Sequence, residues 1–228
     1  MNPTMTPDRP LHRFYGAHRT LCTVLAAAAL TAGLSACAPL IIGGAVVGGV
    51  MAVDRRTAGT QVEDEGIELR ASNRIRETLG DRVHVNVTSY NRQVLLTGEA
   101  LSAQDRQSVE QTVSSVENVR SVVNDLAVMP ITSLSQRSND TFITGKVRAS
   151  LVDAQDISAN SFKVVTERNI VYLMGRVSQR EANRATDIAR GVTGVSKVVR
   201  VFEVVTEEEL RRMTPAPVTT DSSPTPRS

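Results

Sequence analysis

The chain has 228 residues, 26 basic and 24 acidic side chains, and a 41% hydrophobic composition without tryptophan. Three histidines and two cysteines leave little material for a zinc centre, a disulfide framework or a histidine-activated nucleophile. No block of Lys and Arg of the kind that tracks a phosphate backbone occurs anywhere, which argues against a nucleic-acid partner.

At the N-terminus, Arg9, Arg13 and Arg19 precede an apolar run over residues 21–34 that is too short for a permanent bilayer span. The run ends in Leu34-Ser35-Ala36-Cys37, which reads as a bacterial lipobox. Residues 1–36 are then a lipoprotein signal peptide, and Cys37 carries a diacylglyceryl thioether and an amide-linked acyl chain such as palmitate. At about 0.8 kcal/mol per buried methylene, several chains make such an anchor effectively permanent. The competing reading is an ordinary secretory leader cleaved elsewhere, with Cys37 an incidental thiol. Ala38 stands where an aspartate would signal retention in the inner membrane, so the expected location is the outer membrane, lipid-anchored and facing the periplasm. Loss of the leader removes three arginines and one aspartate and leaves a formally neutral chain. The isoelectric point near 8.7 therefore belongs to the leader. Cys22 leaves with it and Cys37 is acylated, so no disulfide is expected.

Residues 37–63 form the lipidated N-terminus and tether. Residues 38–53 are apolar with glycines paired at 43–44 and 48–49, but no Gly-Lys-Ser/Thr follows, so this is not a phosphate loop. A tether near the lipid surface and a glycine-mediated helix-packing segment both fit.

From residue 64 the chain repeats itself. Ile67, Ala71, Ile75 and Leu79 mark the buried stripe of a helix; Ile143, Val147 and Leu151 mark a second, with Asp140 as its expected N-cap. Residues 87–98 align with 164–175 as an extended run, a polar turn, a second extended run and a glycine. Ser102-x-x-Asp105 and Ser178-x-x-Glu181 then open another helix in each copy. Val109, Val113 and Val116 give one stripe, and Ala185, Ala189 and Val192 the other. Each copy closes with a β-branched run, residues 119–128 and 195–205, read as a third strand. The fold class is α+β: two tandem α-β-β-α-β units, each placing two helices on a three-stranded mixed sheet. The expected boundaries are 64–128 for the first domain, 129–137 for a linker short enough that the domains touch, and 138–205 for the second. Residues 206–228 form a Pro/Ser/Thr-rich tail expected to be disordered, with room for a helical turn at 206–213.

This element order resembles the BON domain, on two further motifs. A glycine closes each hairpin, in Val94-Leu95-Leu96-Thr97-Gly98 and Val171-Tyr172-Leu173-Met174-Gly175. A Val-x-x-Val-Val run follows each second helix, at Val119, Val122 and Val123 and at Val195, Val198 and Val199. Behind a lipobox, the pair is similar to the dual-BON outer-membrane lipoproteins, with further likeness at residues 54–62, 86–88 and 138–148. The resemblance implies a non-enzymatic protein that supports envelope integrity and binds anionic phospholipid through the first helix of its second BON domain. It also implies links to cell division and to outer-membrane protein assembly. The chain departs from the pattern at its long N-terminal region, its tail, and Phe142, where the relative it resembles carries tryptophan.

No catalytic residue, metal site or cofactor is expected. Without the leader His84 is the only histidine, and strand alternation in Arg82-Val83-His84-Val85 puts it on the solvent side. Glu63-Asp64-Glu65 and Glu207-Glu208-Glu209 lack calcium-loop spacing and read as solvated charge runs. The candidate surface lies on the helix expected from Asp140, where the core stripe turns Phe142, Gly145, Lys146 and Ala149 outward, with Arg148 beside them. An exposed phenylalanine next to two cations suits a wedge between lipid headgroups; the alternative is that Phe142 folds back on the sheet edge or the other domain. Arg70 stands in the first repeat where the second has Phe142, an asymmetry that assigns the first domain a different task. An adaptor for outer-membrane assembly or division proteins is the second functional reading.

Overall fold

The computed structural model describes residues 54–213. The signal peptide, Cys37, the tether to residue 53 and the tail from residue 214 lie outside the described residues.

Helix α1 (Ala58–Leu79) begins at Thr57, whose hydroxyl accepts from the Thr60 N–H. It buries Ile67, Ala71, Ile75 and Leu79, the stripe its periodicity predicts. Strands β1 (Val83–Tyr90) and β2 (Gln93–Ala100) form an antiparallel hairpin in which Tyr90 faces Gln93. Helix α2 (Ala103–Ser114) follows, capped by Ser102. The expected third strand is broken into β3 (Ser121–Asn124) and β4 (Ala127–Val128), both parallel to β2. The break has a side-chain cause. The Asn124 carboxamide accepts from the Leu126 N–H, and Asp125 bulges out to accept a bond from the Tyr172 hydroxyl at 2.7 Å.

The second unit repeats the order with α3 (Leu134–Asp153), β5 (Lys163–Glu167), β6 (Ile170–Val177), α4 (Gln179–Arg190) and β7 (Lys197–Val204). Ser178 and Glu181 form a complete capping box on α4. A short α5 (Glu207–Met213) follows, so the stretch read as tail opens with a helix. Strands β2 and β6 are central in their sheets.

Helix α3 corrects two expectations. It starts at Leu134 with Ser133 as N-cap, inside the stretch read as linker, and Asp140 is not its cap. Asp140 is buried almost two turns in. Its oxygens accept from the Arg168 and Asn169 N–H groups at 2.9 and 2.8 Å. Asp64 of α1 does the same for Asn91 and Arg92 at 2.8 and 2.7 Å, and also accepts from the Ser89 hydroxyl. All four turn residues have φ between 50° and 63°, as a two-residue hairpin of the strand-compatible twist requires. Arginine is poorly suited to that conformation. In each domain a buried helix carboxylate captures the turn amides and holds the hairpin shut.

The helices cover one face of each sheet. In the first domain Val94, Leu96 and Ala100 meet α1 and α2; in the second Val171, Leu173 and Val177 meet α3 and α4. The opposite sheet faces pack on each other through Tyr90, Leu95, Tyr172, Met174 and Val201. The domains therefore touch back to back, in layer order helix, sheet, sheet, helix. Polar contacts rim this seam: Asn86 to Glu167 at 2.8 Å, Asn91 to Glu203 at 2.7 Å, and Lys163 to Glu68 at 2.7 Å.

Two consequences are measurable. A Cβ at Gly175 would lie 2.4 Å from the Ser161 carbonyl oxygen, and one at Gly98, where φ is 112°, 2.1 Å from that of His84. Gly175→Val and Gly98→Ala should each destabilise the protein by about 1–3 kcal/mol in urea melts. Asp64 also makes an acid limb. Burial pushes its carboxyl up, but the Arg92 N–H, the Ser89 hydroxyl, the Arg56 guanidinium and the Asn91 N–H outweigh burial and hold it below the usual range. Its stabilisation is complete above the unfolded value of about 4 and is lost as pH falls through the lower folded value. Asp64→Asn should flatten the loss of stability below about pH 4 in urea melts run across pH.

Candidate functional site

Helix α3 turns Ile143, Val147 and Leu151 into the core. At about 100° per residue, the diametrically opposite arc holds Leu134, Ser138, Phe142, Gly145, Ala149 and Val152. All six are exposed, and the three largest stand far out: Leu134 at 77%, Phe142 at 66% and Val152 at 67% of full exposure. The arc carries no charge over the whole helix. Phe142 does not fold back on the sheet or the other domain, so the buried alternative is overturned.

Two cations, Lys146 and Arg148, and the exposed Asp153 at the C-terminal end of the helix flank the arc. The Lys146 ammonium lies 4.9 Å from the Phe142 ring centroid and donates to the Thr193 carbonyl. Arg148 is exposed, its guanidinium making a long 3.5 Å contact with the Val164 carbonyl. Gly145 has nothing within 4 Å of where a Cβ would sit, so its smallness leaves open space beside the ring. Between α3 and α4 runs an open groove of about 600 Å³ whose lining includes Lys146, Ala149, Arg184, Asp187, Ile188 and Val192. Sequence reasoning placed Phe142, Gly145, Lys146 and Ala149 on the outward face with Arg148 beside them, and left out Leu134 and Val152, which the structure exposes on the same arc. Starting the helix at Asp140 cut off the first, and stopping the outward face at Ala149 omitted the second.

The structure also corrects the pairing of Arg70 with Phe142. Asp64 and Asp140 do the same work, which makes Ile67 equivalent to Ile143, Gly66 to Phe142, and Arg70 to Lys146. The contacts agree: Arg70 donates to the Glu117 carbonyl as Lys146 does to that of Thr193. The asymmetry is thus glycine against phenylalanine. The outer face of α1 shows Val62 and Leu69, but its flanks carry exposed Glu65 and the Glu63–Arg70 ion pair at 2.6 Å.

His84 is not on the solvent side. Its Nδ1 lies 3.1 Å from Oε2 of Glu99, a fully buried carboxylate on the seam face of β2. Glu99 also accepts from Arg168 at 3.2 Å and from the Thr132 hydroxyl at 3.3 Å. Nearby, burial pushes the Glu167 carboxyl up, against the pull of the Asn86 amide. These groups satisfy one another across the seam and include no serine, cysteine or lysine nucleophile. Among the described residues no cluster of three or more His, Cys, Asp or Glu could hold a metal, and no helix is long and apolar enough to cross a membrane.

A repeated two-helix, three-strand unit with turn-capturing aspartates defines the class, and the BON domain model matches residues 64–130 and 139–206. The chain belongs to the BON-domain family. It is 36% identical over 172 residues to the outer membrane lipoprotein DolP of Haemophilus influenzae, spanning 75% of this chain and 89% of that one. It is 34% identical to the 21 kDa hemolysin of Actinobacillus pleuropneumoniae over 67% of this chain and 80% of that one. A 61-residue stretch, 26% of this chain and 30% of the relative, is 43% identical to the osmotically-inducible protein Y of Escherichia coli. None of these relatives is named as an enzyme.

Because Phe142 makes no core contact, Phe142→Glu should leave the fold intact, shifting stability by no more than about 0.5 kcal/mol in thermal melts.

Proposed function

We propose that the chain is a non-enzymatic outer-membrane lipoprotein, acylated at Cys37 and facing the periplasm, that helps maintain the envelope by binding anionic phospholipid. Its lipid-contact surface is the outer face of α3. The observation that carries this reading is the uncharged arc of Leu134, Phe142, Gly145, Ala149 and Val152, flanked by Lys146 and Arg148. An amphipathic helix whose apolar face points away from the core can lie in the headgroup region, with its cations at phosphate depth. Similarity to DolP, named as an outer membrane lipoprotein, supports the location.

The second reading is an adaptor for outer-membrane assembly or division proteins. The α1 face favours it, since Val62 and Leu69 are exposed beside carboxylates that an anionic bilayer would repel.

Flotation with vesicles separates the two. Protein lacking acyl chains (Cys37→Ser) should float with phosphatidylglycerol-containing vesicles and not with neutral ones. Phe142→Glu should abolish flotation, and Lys146→Glu should weaken it and reduce its salt dependence. Undiminished flotation of folded Phe142→Glu would move the contact off α3. Capture of a purified envelope protein in lipid-free buffer, lost on Leu69→Glu, would favour the adaptor.

A further inference from the structure

Two consecutive arginines lie where the N-terminal chain enters the described structure, and each is held by a different domain. Arg55 reaches the second domain. Its guanidinium grips Glu181 with two bonds of 2.9 and 2.7 Å and donates to the Arg176 carbonyl at 2.9 Å. Both side chains of this pair are buried, at 7% and 5% exposure. Such forked, charge-assisted pairing is the strong kind. Burial pushes the Glu181 carboxyl up, but Arg55 and the Ser178 N–H together outweigh it and hold the group below its usual range.

Arg56 closes on the first domain. It donates to Asp64 at 2.8 Å and to Asp54 at 2.8 Å, and its guanidinium carbon sits 4.4 Å from the centroid of the Tyr90 ring. Asp64 is the carboxylate that holds the β1–β2 turn, and Tyr90 belongs to the apolar cluster between the two sheets. The short segment carrying both arginines leads directly into α1. It therefore spans the seam as a strap, fixed by one guanidinium at each end.

We propose that Arg55 and Arg56 form an interdomain clamp that keeps the sheet-to-sheet seam closed where the N-terminal chain enters. Each arginine is anchored on a buried carboxylate that already organises its own domain, Glu181 as the carboxylate of the α4 capping box and Asp64 as the turn anchor of α1. The clamp thus joins a well-anchored point of each domain. It stands independently of the lipid reading.

The seam carries its own reporters. Tyr90 and Tyr172 both lie in it, at 4% and 0% exposure, and Tyr15, in the leader, is the only other tyrosine. Nitration of the full chain by tetranitromethane, mapped by peptide mass spectrometry, reads each ring separately. Arg55→Gln should speed modification of Tyr90 and Tyr172 by roughly tenfold or more with the far-ultraviolet dichroism unchanged, as the local opening equilibrium shifts. Arg55→Lys, which keeps the charge but loses the fork, should fall between. In Arg56→Gln only Tyr172 is informative, because Arg56 itself covers Tyr90. Arg184→Gln, which removes an exposed pair with Asp156, should leave both rates as in the wild type. Unchanged nitration in folded Arg55→Gln overturns the proposal. So does faster nitration accompanied by loss of helix signal, which would make Arg55 a support of the second domain's fold and not a clamp.

Discussion

The sheets of the two domains are pressed back to back, and that packing determines which surfaces remain available. Each central strand spends one face on its own helices and the other on the opposite sheet, with Leu95 meeting Tyr172 and Met174. A sheet covered on both faces leaves open clefts only at its rim, such as the one of about 320 Å³ lined by His84, Asn86, Asp140 and Glu167. Acidic and basic groups that enter the seam, Glu99 with His84 and Arg168 above all, are used to satisfy one another. Of the two first helices only α3 presents an uncharged outer arc, with Lys146 and Arg148 beside it.

The repeat makes the comparison between domains informative. Asp64 and Asp140 hold equivalent hairpin turns by the same pair of bonds, so the two units are built alike where the fold requires it. They differ where the fold is indifferent. Gly66 and Phe142 occupy the same outward position, and Glu63 and Glu65 beside the glycine give way to the uncharged Asn139 and Thr141 beside the ring. A bulky ring at an exposed site beside Lys146 does not stabilise the core, so it is free to serve the lipid contact proposed for α3.

Much of this was legible in the sequence because burial imposes a period. The stripes Ile67/Ala71/Ile75/Leu79 and Ile143/Val147/Leu151 identify the inner helix faces, and Ser102 and Ser178 mark the starts of the second helices. Asp140 misled because an aspartate before an apolar stripe looks like a cap, when its actual partners are turn amides 28 and 29 residues away. Placing the helix start there concealed Leu134 and shortened the candidate face. Besides the short linker, the seam had a visible signal in the strands: Val94-Leu95-Leu96 and Val171-Tyr172-Leu173-Met174 are apolar without alternation, as strands buried on both faces are. His84 was misplaced because alternation gives the face of a strand and not what covers it. The partners of Arg55, more than 120 residues distant, carry no local signature.

If the outer arc of α3 is the membrane-facing surface of the molecule, lipid should perturb that arc before any other part of the protein. Amide chemical-shift mapping of protein without acyl chains, titrated with anionic lipid micelles, tests this residue by residue. The largest changes should fall along Leu134, Ser138, Phe142, Gly145, Ala149 and Val152, with Lys146 and Arg148 beside them and α1 silent. Changes centred on Val62 and Leu69, or saturable binding that leaves α3 unperturbed, would contradict the account.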